Sequence, residues 1–237
     1  PALWTFKFLF KKDLFRADLV TTNSRGTAEK LQNYFGKKTH GVIYPGVSDQ
    51  FFPRAGKELQ MFLEKKRIDF PFFLAVCTWE PRKNLEILVK TFLKMKKKGE
   101  IPKQKLILLG GRGWKDDRLA SLIESDQRRN ILPWGYVEDA DLPFFYSGCD
   151  GFIFPSLYEG FGMPVAEARS CGARIITSDI PELREAGGED PIYIQPTSEG
   201  IREGILKLLS NPKNFRRHRK GPSWEVGGKK LADFLIS

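Results

Sequence analysis

From Pro71 onward the apolar positions fall into short runs separated by longer amphipathic stretches. The runs are Phe72–Val76, Lys105–Leu109, Ile131–Trp134, Phe152–Phe154, Arg174–Thr177 and Ile192–Ile194. Such short, nearly continuous apolar runs are the pattern of strands buried on both faces. Helical patterns lie between them near 84–98, 116–126, 139–147, 163–171 and 181–186, and further helices are expected near 199–210 and 223–235. Strands alternating with helices predict an α/β fold: a Rossmann-like doubly wound parallel sheet with helices on both faces and right-handed crossovers. Ligands of such sheets sit beyond the carboxyl ends of the strands, so the loops after each strand are where chemistry is sought.

Upstream the pattern is shorter. Asp18–Thr22 reads as a buried strand, Asn23-Ser24 as the cap of a helix running to about Phe35, and Gly41–Tyr44 as a second strand closed by Pro45-Gly46. Residues 47–70 read as a connection punctuated by Pro53 and Gly56. The segment from Trp4 to Arg16 interleaves Trp4, Phe6, Phe8, Phe10 and Phe15 with Lys7, Lys11, Lys12 and Arg16. It fits either an amphipathic helix on a membrane or an element whose aromatic side packs on further sequence. The chain opens at Pro1 rather than Met, and more sequence is expected before it.

A chain of 237 residues with 41% hydrophobic side chains can bury one large core, or one domain and part of another. No apolar run approaches the roughly 20 residues that span a bilayer, and no secretory signal is visible. Cys77, Cys149 and Cys171 are far apart, without CxxC spacing or a nearby His cluster, which argues against structural zinc and a disulfide framework. They are expected as buried apolar side chains in a reducing cytosol. The net charge of +10 favours anionic partners. It is dispersed over Lys11-Lys12, Lys65-Lys66-Arg67, Lys94 to Lys98, and Arg216 to Lys220. Solvated helix faces explain each cluster; together they fit peripheral contact with an anionic membrane surface. No nucleic-acid motif accompanies them, so nucleic acid is not an expected partner.

Three loops carry candidate chemistry. Cys77-Thr78-Trp79-Glu80-Pro81-Arg82-Lys83-Asn84 places Arg82 and Lys83 side by side where a helix begins, a place already attractive to anions. The planar fork of Arg and the point charge of Lys together suit a diphosphate, though an ordinary charged helix start would look the same. Gly110-Gly111-Arg112-Gly113-Trp114 is neither a Walker loop nor a GxGxxG loop; it reads as a tight turn or a close approach to a ligand. Pro155 to Glu167 is the most informative stretch. Pro164 suits the first turn of a helix, Gly160 and Gly162 free the backbone at its entrance, and Glu159 and Glu167 stand in the loop and about one turn into the helix. Two carboxylates beside a phosphate site make sense if they accept hydrogen bonds from sugar hydroxyls.

This last stretch resembles the signature of glycosyltransferase family 4: two Glu separated by seven residues in a Glu-Gly-Phe-Gly-x-Pro context, here Glu159 and Glu167. Ala17-Asp18, Ser24, Pro45-Gly46-Val47, Glu80 to Asn84 and Gly110-Gly111 fit the same family along nearly the whole chain. The resemblance implies the GT-B fold, a pair of Rossmann-like domains. Residues 1–48 would be a remnant of the acceptor-side domain, 49–70 a linker, 71–221 the nucleotide-sugar domain and 222–237 a crossover helix anchored by Trp224. It implies retaining transfer of a hexose, mannose as first choice, from a nucleoside-diphosphate sugar to a glycan or lipid-linked acceptor of surface polysaccharide, at the cytoplasmic face of the membrane. Arg82 and Lys83 would hold the diphosphate and Glu159 the transferred sugar. Glu167 would bind the ribose, while Gly160, Phe161, Gly162, Met163, Gly110 and Gly111 would line the donor. Tyr136 and Val137 would pack on the base. No metal and no cofactor is implied. His40 and His218 lie outside the expected sites and read as surface residues. With most of the first domain unaccounted for, a binding module without turnover is the alternative.

Overall fold

A computed structural model of the chain describes residues 2–113, 117–211 and 221–236. Trp114, His218 and the basic run from Arg216 to Lys220 lie outside the described residues, as do the side chains of Trp4, Phe6, Lys7 and Phe8. Two parallel sheets organise the rest. The first unit comprises α1 (Ala2–Arg16), β1 (Thr21–Thr22), α2 (Arg25–Phe35) and β2 (Gly41–Val42), with Thr21 opposite Gly41 and Thr22 opposite Val42. Ser24 caps α2: its backbone is extended and its Oγ accepts from Thr27 N at 2.9 Å. Gly36 ends the helix in the left-handed region, at φ 69°. Both strands are shorter than the apolar runs suggested, and half-buried rather than buried. Each has a single neighbour, so only the residues that meet it are paired.

The stretch read as a connection contains a further helix, α3 (Gly56–Lys65). Its apolar side carries Phe62, whose ring stacks on Phe144 at 4.6 Å and meets Phe145 edge-on at 5.3 Å. The helix was hidden because Ala55 offers no side-chain cap and Gly56 opens it at φ 61°.

Then follow β3 (Phe72–Val76), α4 (Leu85–Lys97), β4 (Lys105–Leu109), α5 (Asp117–Glu124), β5 (Ile131–Gly135) and α6 (Leu142–Gly148). After these come β6 (Gly151–Phe154), α7 (Met163–Ser170), β7 (Ile175–Ser178), α8 (Pro181–Gly187), β8 (Ile192–Ile194), α9 (Ser198–Ser210) and α10 (Trp224–Ile236). The six strands are all parallel, in the order β5-β4-β3-β6-β7-β8. Side chains alternate across the sheet. Phe72, Leu74, Phe152 and Phe154 pack with Phe145, Tyr146 and Val165 on the side of α6 and α7. Phe73, Ala75 and Ile153 pack with Leu88, Phe92 and Ile205 on the side of α4 and α9. The chain steps outward from β3 in both directions, which makes β3 and β6 the switch point where loops diverge.

Helix α10 returns to the first unit. Val47 N donates to Pro222 O at 2.8 Å, and a Cβ on Gly41 would fall 2.2 Å from the Phe234 ring. Gly227 is buried against the Tyr44 carbonyl. Trp224 closes on Gly46 with both its backbone and the root of its ring, while the residue as a whole is 63% exposed. The contact is made by glycines because they let backbone and rings approach closely.

Candidate functional site

The loop after β3 is held against the loop after β4. Cys77 N donates to Leu109 O at 3.0 Å and Trp79 N to Gly111 O at 3.1 Å. Gly110, at φ 114°, is required by this contact, since a Cβ there would stand 2.2 Å from Cys77 O. Gly111 faces open space. Pro81–Lys83 then form one 3-10 turn, and Asn84, in the left-handed region at φ 60°, starts α4 while its Nδ2 donates to Pro196 O at 2.8 Å. The turn stacks Arg82 and Lys83 toward the loop after β6, where Leu157 N donates to Arg82 O at 2.8 Å.

That second loop delivers Glu159. Its Oε1 accepts from Lys83 Nζ at 2.5 Å and its Oε2 from Arg82 at 3.1 Å, while Arg82 Nε donates to Glu80 at 2.7 Å. Lys83 and Glu159 are 8% and 7% exposed, whereas Arg82 is open to solvent. Burial opposes the charge on Arg82, but the Glu159 and Glu80 carboxylates outweigh it and hold the guanidinium above its ordinary value. The three residues singled out in two loops of the sequence therefore meet as one buried-to-surface charge group. One further guanidinium nitrogen of Arg82 and the remaining N–H groups of Lys83 make no hydrogen bond among the described residues.

Gly162 precedes α7 at φ 103°, packed so that a Cβ would lie 2.4 Å from a Leu183 methyl. Pro164 occupies the first turn. The N–H groups of Phe161 and Gly162 meet no acceptor among the described residues, although Phe161 is buried. The Gly160 carbonyl points the other way and accepts from Ser24 Oγ and Thr27 Oγ1. Met163 is partly buried beside these amides.

Glu167 stands apart from the Arg82–Lys83–Glu159 group. Its partner is the buried Tyr146 hydroxyl at 3.1 Å. Burial pushes the Glu167 carboxyl up to about 7; the Tyr146 hydrogen bond acts against that rise and nearby Asp139 adds to it. Burial likewise holds the Tyr146 phenol well above its usual range. Asp139 follows Tyr136 and Val137 in the loop after β5, so that loop and Glu167 share one neighbourhood. Tyr136 is 74% exposed and Val137 packs on the core.

The remaining candidates are inert. Cys77, Cys149 and Cys171 form no disulfide among the described residues, and burial pushes Cys77 and Cys171 up to about 12, away from the reactive thiolate. His40 is exposed, its Nδ1 accepting from Val20 N. Among the described residues no group of three His, Cys, Asp or Glu could hold a metal ion, and no helix is long and apolar enough to cross a membrane. Sequence reasoning missed Thr27, which joins the first unit to the Glu159 loop, and Glu182 and Glu185, which join it to α8. The one available sign was a spare hydroxyl a turn after a Ser cap.

A parallel six-stranded sheet flanked by helices on both faces is the α/β architecture of GT-B enzymes. Sucrose-phosphate synthase from Thermosynechococcus elongatus shares it, with a TM-score of 0.77 at 22% identity over 97% of this chain and 60% of that one. The chain belongs to the family of group 1 glycosyl transferases, whose sequence profile matches residues 57–221. It is similar to O-antigen chain mannosyltransferase B of Escherichia coli, 36% identical over 84% of this chain and 54% of the relative. It is also similar to the N-acetylgalactosamine-N,N'-diacetylbacillosaminyl-diphospho-undecaprenol 4-alpha-N-acetylgalactosaminyltransferase of Campylobacter jejuni, 28% identical over 87% of this chain and 55% of that one. The chain thus spans about half the length of these relatives.

Proposed function

We propose that this chain binds a nucleoside-diphosphate sugar and serves in the retaining transfer of its hexose, in the manner of glycosyltransferase family 4. The observation that carries this reading is the meeting of Arg82, Lys83 and Glu159 beside the open amides of Phe161 and Gly162. Arg82 and Lys83 take the diphosphate with the donors Glu159 leaves free. Negative charge grows on that diphosphate as its bond to the sugar breaks, and fixed cations stabilise the growing charge more than the bound substrate. No divalent ion has a part in the proposal, because the two cations fill that role.

Glu159 accepts hydrogen bonds from hydroxyls of the transferred sugar. It is not assigned as a nucleophile, since each of its oxygens is engaged by a cation. Retention follows instead from attack on the face the diphosphate leaves, with a phosphate oxygen taking the acceptor's proton. Glu167 binds the ribose hydroxyls. Tyr136 and Val137 cover the base, and Gly110, Gly111, Gly160 and Met163 line the rest. In this reading residues 1–48 end an acceptor-side domain and 71–221 form the donor domain. Residues 49–70, which include α3, link them, and 222–237 cross back. Mannose as the sugar is supported by the name of the E. coli relative, and a lipid-linked acceptor by that of the C. jejuni relative. The net charge of +10 fits work at the cytoplasmic face of an anionic membrane in surface polysaccharide synthesis.

Calorimetric titration of the chain with GDP, UDP, ADP and their sugar forms tests the reading, beside an Arg82→Ala/Lys83→Ala variant. One nucleotide is expected to bind selectively and to lose at least about tenfold in affinity in the variant, as removal of charged hydrogen bonds implies. Equal binding by the two proteins would refute the assignment.

A further inference from the structure

The Gly160 carbonyl leaves its loop toward α2, where two hydroxyls meet it. Ser24 Oγ donates at 2.5 Å and Thr27 Oγ1 at 2.9 Å. Ser24 accepts from Thr27 N as the cap of α2, and its Oγ also lies 2.9 Å from Thr27 Oγ1, so the two hydroxyl protons are shared within a Ser24–Thr27–Gly160 carbonyl triangle. The surroundings fix α2 firmly against α8. Glu185 accepts from Arg25 N at 2.8 Å and from Gly26 N at 2.9 Å, taking up amides that a helix start leaves open. Tyr44 donates to the same carboxylate at 2.8 Å. Glu182, fully buried, pairs with Lys30 at 2.6 Å. Gly26 permits this approach, because a Cβ there would stand 2.7 Å from the Glu182 carboxyl carbon. Lys30 also lies over the Tyr158 ring at 4.4 Å, beside Glu159 in the same loop.

The described chain has no cis peptide bond. In a trans peptide the C=O and the following N–H point to opposite sides of the chain. Holding the Gly160 carbonyl on the α2 side therefore turns the Phe161 N–H away from α2, and that N–H has no acceptor among the described residues. It lies at the start of α7, where the helix adds positive potential.

We infer that Ser24 and Thr27 are positioning residues for the donor site: by gripping the Gly160 carbonyl they aim the Phe161 amide at the donor diphosphate. The inference rests on the donor-site reading above. It places two determinants of donor affinity outside the six-stranded unit, in a helix that contributes nothing to the charge group itself.

The test compares the chain with Thr27→Val, Thr27→Ser and Ser24→Ala/Thr27→Val by titration with the nucleotide sugar the wild type binds best, alongside thermal melting. Thr27→Val keeps the cap and the shape of the side chain but removes one donor. Its affinity for the nucleotide sugar is expected to fall about fivefold, as one lost hydrogen bond implies, with Thr27→Ser close to wild type. The double variant is expected to lose about twentyfold or more. If the double variant does not fold, Thr27→Val against Thr27→Ser still decides. A lowered melting midpoint with unchanged affinity would show a purely structural role and overturn the inference while leaving the donor reading intact. Absence of binding by the wild type would overturn both.

Discussion

Glu167 shows how far one residue's environment can depart from its chemistry in water. Its carboxyl is pushed up to about 7 by burial, so the folded protein holds a proton that the unfolded chain, at about 4.5, has released. The sign follows from linkage: the group costs nothing below pH 4.5, costs progressively more as pH rises toward 7, and adds no further cost above that. A Glu167→Gln variant keeps an acceptor for Tyr146 but cannot ionise. Melting curves across pH 4 to 8 should show the variant gaining on wild type between about 4.5 and 7; parallel curves would mean Glu167 is not perturbed. Gly110 offers a second test at this scale. Gly110→Ala drives a Cβ onto the Cys77 carbonyl at φ 114°, and is expected to cost at least about 1–3 kcal/mol by urea denaturation. The residue scale was the least legible from sequence. Glu159 and Glu167 were recognised by their spacing, yet nothing in that spacing says that one is held by two cations and the other by a phenol. Those partners come from loops and helices distant in sequence, brought together only by the strand order.

At the scale of elements, the buried strands were legible and the edges were not. Runs such as Phe72–Val76 are apolar on both sides because helices cover both sides, and no solvent-facing residue interrupts them. In the first unit each strand has a single neighbour, and the paired stretches are only two residues long and half-buried. Helix α3 went unread for a different reason. Its helical spacing of Leu59, Phe62 and Leu63 was present, but Gly56 without a cap spoke for a loop, and the packing of Phe62 on Phe144 and Phe145 decided the outcome. Phe62→Ala should therefore lower stability by about 2–3 kcal/mol, somewhat less than for a fully buried Phe, without altering nucleotide binding. Denaturant melts paired with titration would check both halves of that statement.

At the scale of the molecule, two sheets are coupled by one side-chain junction and one helix. Lys30→Met would leave Glu182 buried without its ion-pair partner and is expected to cost about 1–3 kcal/mol, read as a lower urea midpoint. Combining it with Glu182→Gln should recover part of that loss, because the stranded charge is then removed. This junction had no sequence signature. Lys30, Glu182 and Glu185 look like ordinary charges on helix faces, and only the folded arrangement puts one of them out of reach of water. The dispersed basic clusters, by contrast, were visible from composition, and those within the described residues, such as Lys65-Lys66-Arg67, lie on helices or at their ends.

The return of α10 to the first sheet has a mechanical meaning. Among the described residues its grip includes Phe234 on Gly41, Gly227 on Tyr44 and Trp224 on Gly46, with the Val47–Pro222 hydrogen bond just ahead of the helix. Tension applied through its far end loads those contacts one after another, so α10 would peel before either sheet yields. Its thirteen residues, about 20 Å long as a helix and about 45 Å when extended, would then release about 25 Å of slack. Under load the chain would behave as a short fuse in series with a stiff body, with the six parallel strands shielded until the tether is spent.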